Sequence, residues 1–296
     1  MSSLQLSELE YEVADSKPRA RFELAGTIPF VLIHLAALVG SILVDWTTEA
    51  MVIGVSSYWV RMFGVTAGYH RYFSHRTFKM SRLGQFLMAV IAQSSAQRGA
   101  LWWAAHHRHH HKHSDAPDDV HSPVQRGFWY SHVGWIFSDN AQTHAERIKD
   151  LTKYPELVWL DRHHHVPAIA LAILSYLLAG APGLFIGFFL STVVLWHATF
   201  TINSLSHVWG SRRYETTDDS RNNAFLAFIT LGEGWHNNHH HYQASVRQGF
   251  AKWEIDVTYW MLKAMEKLGV VRDLREPPER IMAAFRAPDS GAVPPA

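Results

Sequence analysis

The sequence predicts an all-α integral membrane fold built on two transmembrane hairpins, and three observations carry that prediction. Two long intervals, Phe22 to Val60 and His163 to Ser211, contain no Lys or Arg. Each is long enough for two helical spans of about 20 apolar residues. Each also breaks near its middle, at Asp45-Trp46-Thr47-Thr48-Glu49-Ala50 and at Ala179-Gly180-Ala181-Pro182-Gly183, where Gly and Pro favour a turn. The spans are therefore placed at about 26–44 with 51–68 and at 166–180 with 184–205. The cations lie elsewhere: Lys17, Arg19 and Arg21 before the first hairpin, Arg71, Arg76, Lys79 and Arg82 onward between the hairpins, and the C-terminal third. The positive-inside rule then puts both tips outside, with both termini and the central segment cytoplasmic. Arg61 falls inside the second span and must snorkel or face the protein interior.

The remaining segments follow from length and composition. Leu83–Gln97 is apolar but short for a span, which predicts a buried or interfacial helix. Residues 1–25 read as an N-terminal cytosolic segment without a cleavable signal, and 26–275 as one domain. Pro277-Pro278 and the Pro/Ala/Gly-rich end predict a disordered tail over 276–296. A formal net charge of +1 with no long basic run provides no footprint for nucleic acid. The absence of Cys removes disulfides, thiolate ligands and iron–sulfur clusters within these residues.

What stands out is 21 His in 296 residues, twelve of them gathered into three clusters outside the predicted spans and on one side of the membrane. They are HRYFSH (His70, His75), HHRHHHKH (His106 to His113) and HNNHHH (His236 to His241). On a helix, H-x-x-H-H aims three imidazoles at one point. His236, His239 and His240 fit that pattern in one register, whereas the middle tract fits as His107/His110/His111 or as His106/His109/His110. A single His run could be a solvated polar patch; three clusters on one side, two with the same triplet spacing, point to metal. Imidazole suits Zn, Cu, Fe and Ni alike, but eight clustered His exceed one tetrahedral site and match two metals. His207, one helical turn after Asn203, adds a ninth. Glu233 forms Glu-x-x-His with His236 and reads as a residue that fixes an imidazole or caps its own helix. The run His163-His164-His165 reads as an interfacial anchor.

These motifs resemble the membrane fatty acyl desaturase family, of which stearoyl-CoA desaturase is a member. GVTAGYHRYFSHRTFK is similar to its first histidine box and HRHHHKHSD at 107–115 to its second. RGFWYSHVGW at 126–135, NSLSH at 203–207 and GEGWHNNHH at 232–240 follow in the family's order, so the likeness runs from about Thr66 to Val271. The resemblance selects the register His107, His110, His111. It implies nine ligands to two irons: His70, His75, His107, His110, His111, His207, His236, His239 and His240, with Asn203 reaching one iron through water. His106, His109, His113 and His241 fall outside the set. It also implies four transmembrane helices beneath a helical cytosolic cap that holds the di-iron site, and an acyl tunnel. One departure concerns the acyl carrier. Where family members carry a basic stretch after HVGW that meets coenzyme A phosphates, this chain reads IFSDNAQTHAERIKD, with Arg147 and Lys149 displaced.

The chemistry implied is O2-dependent insertion of a cis double bond, by family habit at the delta-9 position, into a long saturated chain carried by coenzyme A or by a lipid. O2 is the co-substrate and two Fe2+ ions the cofactors. With no Cys and no dinucleotide fingerprint, the electrons must come from a separate ferredoxin, rubredoxin or b-type cytochrome. A membrane hydroxylase with similar boxes is the nearest rival. A divalent-metal transporter would need polar residues inside its spans, and the second hairpin has no acidic residue.

Overall fold

The computed structural model describes residues 24–138 and 142–284. The helices that matter for function are α1 (Leu24–Leu43), α2 (Thr48–Phe63), α3 (Arg82–Gln93), α4 (Ala100–His113), α5 (Phe128–His132), α6 (Pro155–Arg162), α7 (Val166–Pro182), α8 (Ser191–Asn203), α9 (Ala224–Ile229), α10 (His236–His241) and α11 (Val257–Lys267). One two-stranded antiparallel ladder, Lys79–Met80 with Val271–Arg272, ties the C-terminal part back to the start of α3. It is a small departure from a purely helical chain.

Among the described residues three helical segments are long and apolar enough to cross a bilayer: Gly26–Leu43, Thr48–Ser74 and Val166–His207. The first two are joined by a short turn, and both pack on the Gly183–Leu190 stretch, where Gly40 meets Phe185 and Gly54 meets the Ile186 carbonyl. Asp45-Trp46-Thr47 reverses the chain, Thr47 Oγ1 accepts from the Ala50 N–H at 3.2 Å, and the Trp46 indole donates to the orphan Ser41 carbonyl at 2.8 Å. The third segment is 42 residues long but is not one straight helix. Ala179 (φ −142°) and Gly180 (φ 59°) leave helical geometry, and the left-handed backbone at Gly180 suits a residue without Cβ. The chain doubles back there and brings Gly183 against the Ser175 carbonyl. The break coincides with the Gly/Pro cluster read from the sequence.

The second segment differs from expectation. The helix does not stop near 68 but continues as a π-helical stretch, Gly64–Ser74, that is buried throughout. Wider turns of this kind gather at functional sites, and this one carries His70. Gly64 lets α3 approach closely, since a Cβ there would lie 2.8 Å from the Ala92 nitrogen. α3 is interfacial on one side and packed on the other: Leu83 and Leu87 are exposed, whereas Met88, Ala89 and Ala92 are buried against the π-helical stretch. Arg61 takes the interior option. It is 1% exposed and donates to Ser57 O, Thr192 Oγ1 (2.6 Å) and Ser191 Oγ (2.7 Å), which joins α2 to α8.

The core is formed by the π-helical stretch with α3, α4, α6, α8 and α11, where Phe73, Ala89, Ala104, Leu160, Leu195 and Leu262 meet. Residues 276–284, part of the segment expected to lack structure, include a short helix, Glu279–Ala284. Glu276 Oε1 accepts from the Tyr259 hydroxyl at 2.7 Å, which anchors that start; 1–23 and 285–296 lie outside the described residues. Gly64→Val should overpack the α3 contact, cost about 1–3 kcal/mol and lower the melting temperature of the detergent-solubilised protein, as followed by circular dichroism.

Candidate metal centre

The nine sequence-selected histidines converge into two groups. His70, His75, His107, His111 and His239 form one, and His110, His207, His236 and His240 the other, each with ring nitrogens within 4.8 Å of one another. Four segments supply them: the π-helical stretch and the turn after it, α4, the turn following α8, and α10. Each H-x-x-H-H triplet is split between the groups, which corrects the expectation that all three imidazoles share one point. Adjacent helical residues lie about 100° apart around the axis. The i, i+4 pair His107/His111 therefore faces the first group while His110 turns to the second. α10 does the converse, with His236/His240 in the second and His239 in the first.

The nitrogen spacing tests whether metal fits. In the first group His70 Nε2 is 2.9 Å from His239 Nε2, which is 3.0 Å from His111 Nε2. His111 Nε2 is 2.9 Å from His107 Nε2, itself 2.9 Å from His75 Nε2. In the second group His207 and His236 meet Nε2 to Nε2 at 3.1 Å. First-row metals bind imidazole at about 2.0–2.1 Å, and two such bonds at a right angle place their nitrogens about 3 Å apart. The donor sets fit two first-row cations.

Carboxylates behind the rings decide which nitrogen faces inward. His207 Nδ1 is 2.8 Å from Asp115 Oδ2 and His110 Nδ1 is 3.0 Å from Asp119 Oδ2. His240 Nδ1 pairs with Asp218 and His70 Nδ1 with Glu233. A carboxylate takes the Nδ1–H, so the lone pair is left on Nε2, directed into the group. Glu233 therefore does fix an imidazole, that of His70 rather than its sequence neighbour His236. It is held in turn by Arg71 at 3.1 Å and by Gln248 Nε2 at 2.9 Å. Arg71 also donates to Asp256 Oδ1 and the Val246 carbonyl, both at 2.9 Å. Arg108, the Arg of the second box, forms a bidentate pair with Asp150 (2.7 and 3.0 Å) and donates to the Ser74 and Phe73 carbonyls. It thereby locks α4 to the segment carrying His70 and His75.

The other histidines fall where the register leaves them. His106 Nδ1 donates to Trp102 O, His109 lies beside the Asp118 carbonyl, and His241 stacks on Tyr214. His113 is in neither group. His163 stacks on Trp159 at the foot of α7. Asp119, Asp218, Gln248 and His121 escaped the sequence reading. His121 lies 4.4 Å ring to ring from His110 and shares Asp119 with it. The available signal was the acidic run after the second box, since Asp115 and Asp119 follow His111 by four and eight residues.

A cavity of about 810 Å3 meets the first group at His107 and is walled near it by Trp103, His106, His121 and Asn203. Asn203 thus lines the cavity. Gln97 donates to Thr199 at 3.2 Å in the same wall, which spans from the start of α4 to α8. The rest of the lining is mainly apolar along α1, α7, α8 and residues 184–189, with Arg98, His164 and His165 as its further polar members.

The chain matches the fatty acid desaturase family over residues 45–268, most of its length. It belongs to that family. It is 35% identical over 255 residues to the sn-2 palmitoyl-lipid 9-desaturase of Nostoc sp., covering 84% of this chain and 89% of the relative. To the sn-1 stearoyl-lipid 9-desaturase of Synechocystis sp. it is 34% identical over 272 residues, covering 91% and 85%. To the acyl-CoA C20 Delta5-desaturase of Anemone leveillei it is 36% identical over 222 residues, covering 74% and 71%. The protein is a membrane fatty acyl desaturase, an oxidoreductase that acts on paired donors with O2.

Protonation sets the pH range of this desaturase site. Burial, then the crowding of neighbouring imidazoles, holds His75, His107, His111, His236 and His239 well below the usual histidine range. Burial lowers His240 to about 4 against the pull of Asp218. Burial also pushes His110 down, but Asp119, Asp115 and Asp218 together outweigh it and raise that ring. For the depressed group the unfolded chain binds protons first, near the ordinary pKa of about 6.5. Their stability contribution is full above that pH and is lost as pH falls toward the folded values. The metal-free protein should accordingly lose melting temperature between pH 6.5 and 4, read by differential scanning fluorimetry. Asp218→Asn should weaken divalent-metal binding by roughly 10–100-fold, read by competition with a chromophoric chelator.

Proposed function

We propose that the two histidine groups hold two iron ions and that the protein inserts a cis double bond, at the 9 position, into a long saturated acyl chain. The observation that carries this reading is the convergence of nine imidazoles from four separate segments, beside a cavity shaped for an apolar chain. His70, His75, His107, His111 and His239 would hold one iron, and His110, His207, His236 and His240 the other. Asn203 would act through water. When bound, the irons supply with O2 the oxidising power that an unactivated methylene pair requires. The balance is fixed: the chain gives up two hydrogens, and O2 with two further electrons and two protons becomes two waters. These residues include no Cys and hence no iron–sulfur cluster, so the two electrons come from a separate ferredoxin, rubredoxin or b-type cytochrome.

The chain's own residues perform three tasks. Asp115, Asp119, Asp218 and Glu233 keep the Nδ1 protons of four ligands and so hold their Nε2 lone pairs on metal. Arg71 and Arg108 hold the supporting segments in register. Trp103 and the apolar lining position the chain beside His107 and exclude water from the reacting carbons. The cation distribution supports four crossings in two hairpins, with the metal side and both termini cytoplasmic. The Nostoc and Synechocystis relatives, both 9-desaturases, support the 9 position.

Expression in a desaturase-deficient host, with fatty acids profiled by double-bond position, tests the reading. New 9-monounsaturated chains are expected; a product heavier by one oxygen would instead mark a hydroxylase. His110→Ala and His236→Ala should lower product at least 100-fold with unchanged membrane insertion. His109→Ala, which loses only its place beside the Asp118 carbonyl, should retain more than half.

A further inference from the structure

The cavity that reaches His107 does not end inside the protein. Its outer walls are one face of α1 and one face of α7. Gly26, Pro29, Phe30 and Ile33 line it from α1, a helical i, i+3, i+4, i+7 stripe, and Ala168, Ile169, Ala172, Ile173 and Tyr176 line it from α7. Both stripes lie in the first turns of their helices, on the metal side, and run about 10–15 Å along the helix axes. Among the described residues α1 and α7 pack only sparsely on each other. On its other flank α1 is closed against α8: Phe30 stacks on Trp196 at 5.2 Å and meets Phe137 edge-on at 5.2 Å.

The exposure pattern shows where the slot opens. Ile169 (51%), Ile173 (55%) and Tyr176 (53%) line the cavity and are at the same time half exposed, and Pro29 opposite them is exposed. A residue that does both sits on a rim. This rim lies between two of the segments apolar enough to cross a bilayer, so it faces lipid tails and not water. Neither stripe carries a charged residue.

We infer that the slot between α1 and α7 is a lateral portal, and that it admits the acyl chain of a membrane lipid from the metal-side leaflet directly to the di-iron site. The inference rests on the desaturase reading and commits it to a lipid-bound substrate. A chain carried by coenzyme A approaches from water with several phosphates, whereas the two stripes of this rim are apolar and embedded, and the polar lining residues Arg98, His164 and His165 lie outside them, the two histidines just before α7. A lipid already has its chains beside the rim, at a depth matched by the stripes. An apolar chain entering here loses contact only with other tails and gains the packed, dry wall formed by Phe30, Trp196 and Trp103. Ala172 and Ile169 set the width of the slot from the α7 side.

Two measurements test it. In vesicles, a phosphatidylcholine carrying a mid-chain diazirine is photolysed with the purified full-length protein, and labelled peptides are mapped by mass spectrometry. Label is expected on the α7 stripe and on the peptide bearing Trp103 and His107. Ala172→Trp and Ile169→Trp should each lower labelling of the latter at least tenfold, whereas Ile42→Trp, on the lipid-facing side away from the slot, should not. In the host where the wild type makes unsaturated chains, a deuterated diether phosphatidylcholine, whose chains cannot pass to coenzyme A, should acquire the double bond. The two slot variants should lose that product at least tenfold, with metal content unchanged. Labelling of the inner peptide that is unaffected by both slot variants would overturn the portal. So would a diether lipid left untouched while deuterated stearoyl-CoA is desaturated. If the wild type makes no unsaturated product at all, the desaturase reading falls, while the labelling still reports on the slot.

Discussion

Everything else in this fold is organised around keeping nine imidazoles crowded together with their ring nitrogens pointing inward. That arrangement is unfavourable by itself, because acceptor nitrogens about 3 Å apart repel and have been withdrawn from water. It persists because each side of the site is held independently. Carboxylates take the Nδ1 protons of His70, His110, His207 and His240, so these rings can present only Nε2 to the interior. Burial keeps most of the remaining rings unprotonated, and the site is thereby prepared for cations.

The carboxylates are themselves secured by buried charge. Arg71 is 1% exposed and shared between Glu233 and Asp256, so the His70 side of the first group is continuous with the start of α11. Arg108 does the same for the second box, joining α4 to Asp150 and to the carbonyls just before His75. Removing one member of such a buried network leaves its partner uncompensated, which is more costly than never having buried the pair. These arginines are therefore part of the metal site's geometry although neither touches the metal positions.

The two histidine triplets also explain how short helices can serve two histidine groups. Because an i, i+4 pair and the i+3 residue diverge around the axis, α4 and α10 each contribute two rings to one group and one ring to the other. The groups are thereby braced against each other: a movement of either helix disturbs both. The π-helical continuation of α2 meets the same requirement, since it carries His70 from the apolar helix into the first histidine group without a loop that would leave backbone groups unpaired.

The sequence by itself determined which chemistry is available and roughly where. Cation-free intervals, the Gly/Pro break at Ala179–Gly183 and three histidine clusters are local features of composition and spacing, so the apolar segments and the clusters were legible there, while spacing left two registers open for the middle tract. Asp115 was visible within the second motif, though without its role. Tertiary structure decided the rest, because the deciding distances join residues remote in the chain. The partition of rings into five and four, the pairing of Glu233 with His70 rather than His236, and the contacts of Asp218 with His240 and Arg108 with Asp150 depend on how helices cross. Spacing within one helix shows which side chains share a face, but not what that face meets. The slot between α1 and α7 is of the same kind: it depends on how two helices sit against their neighbours, and no local pattern of residues encodes that.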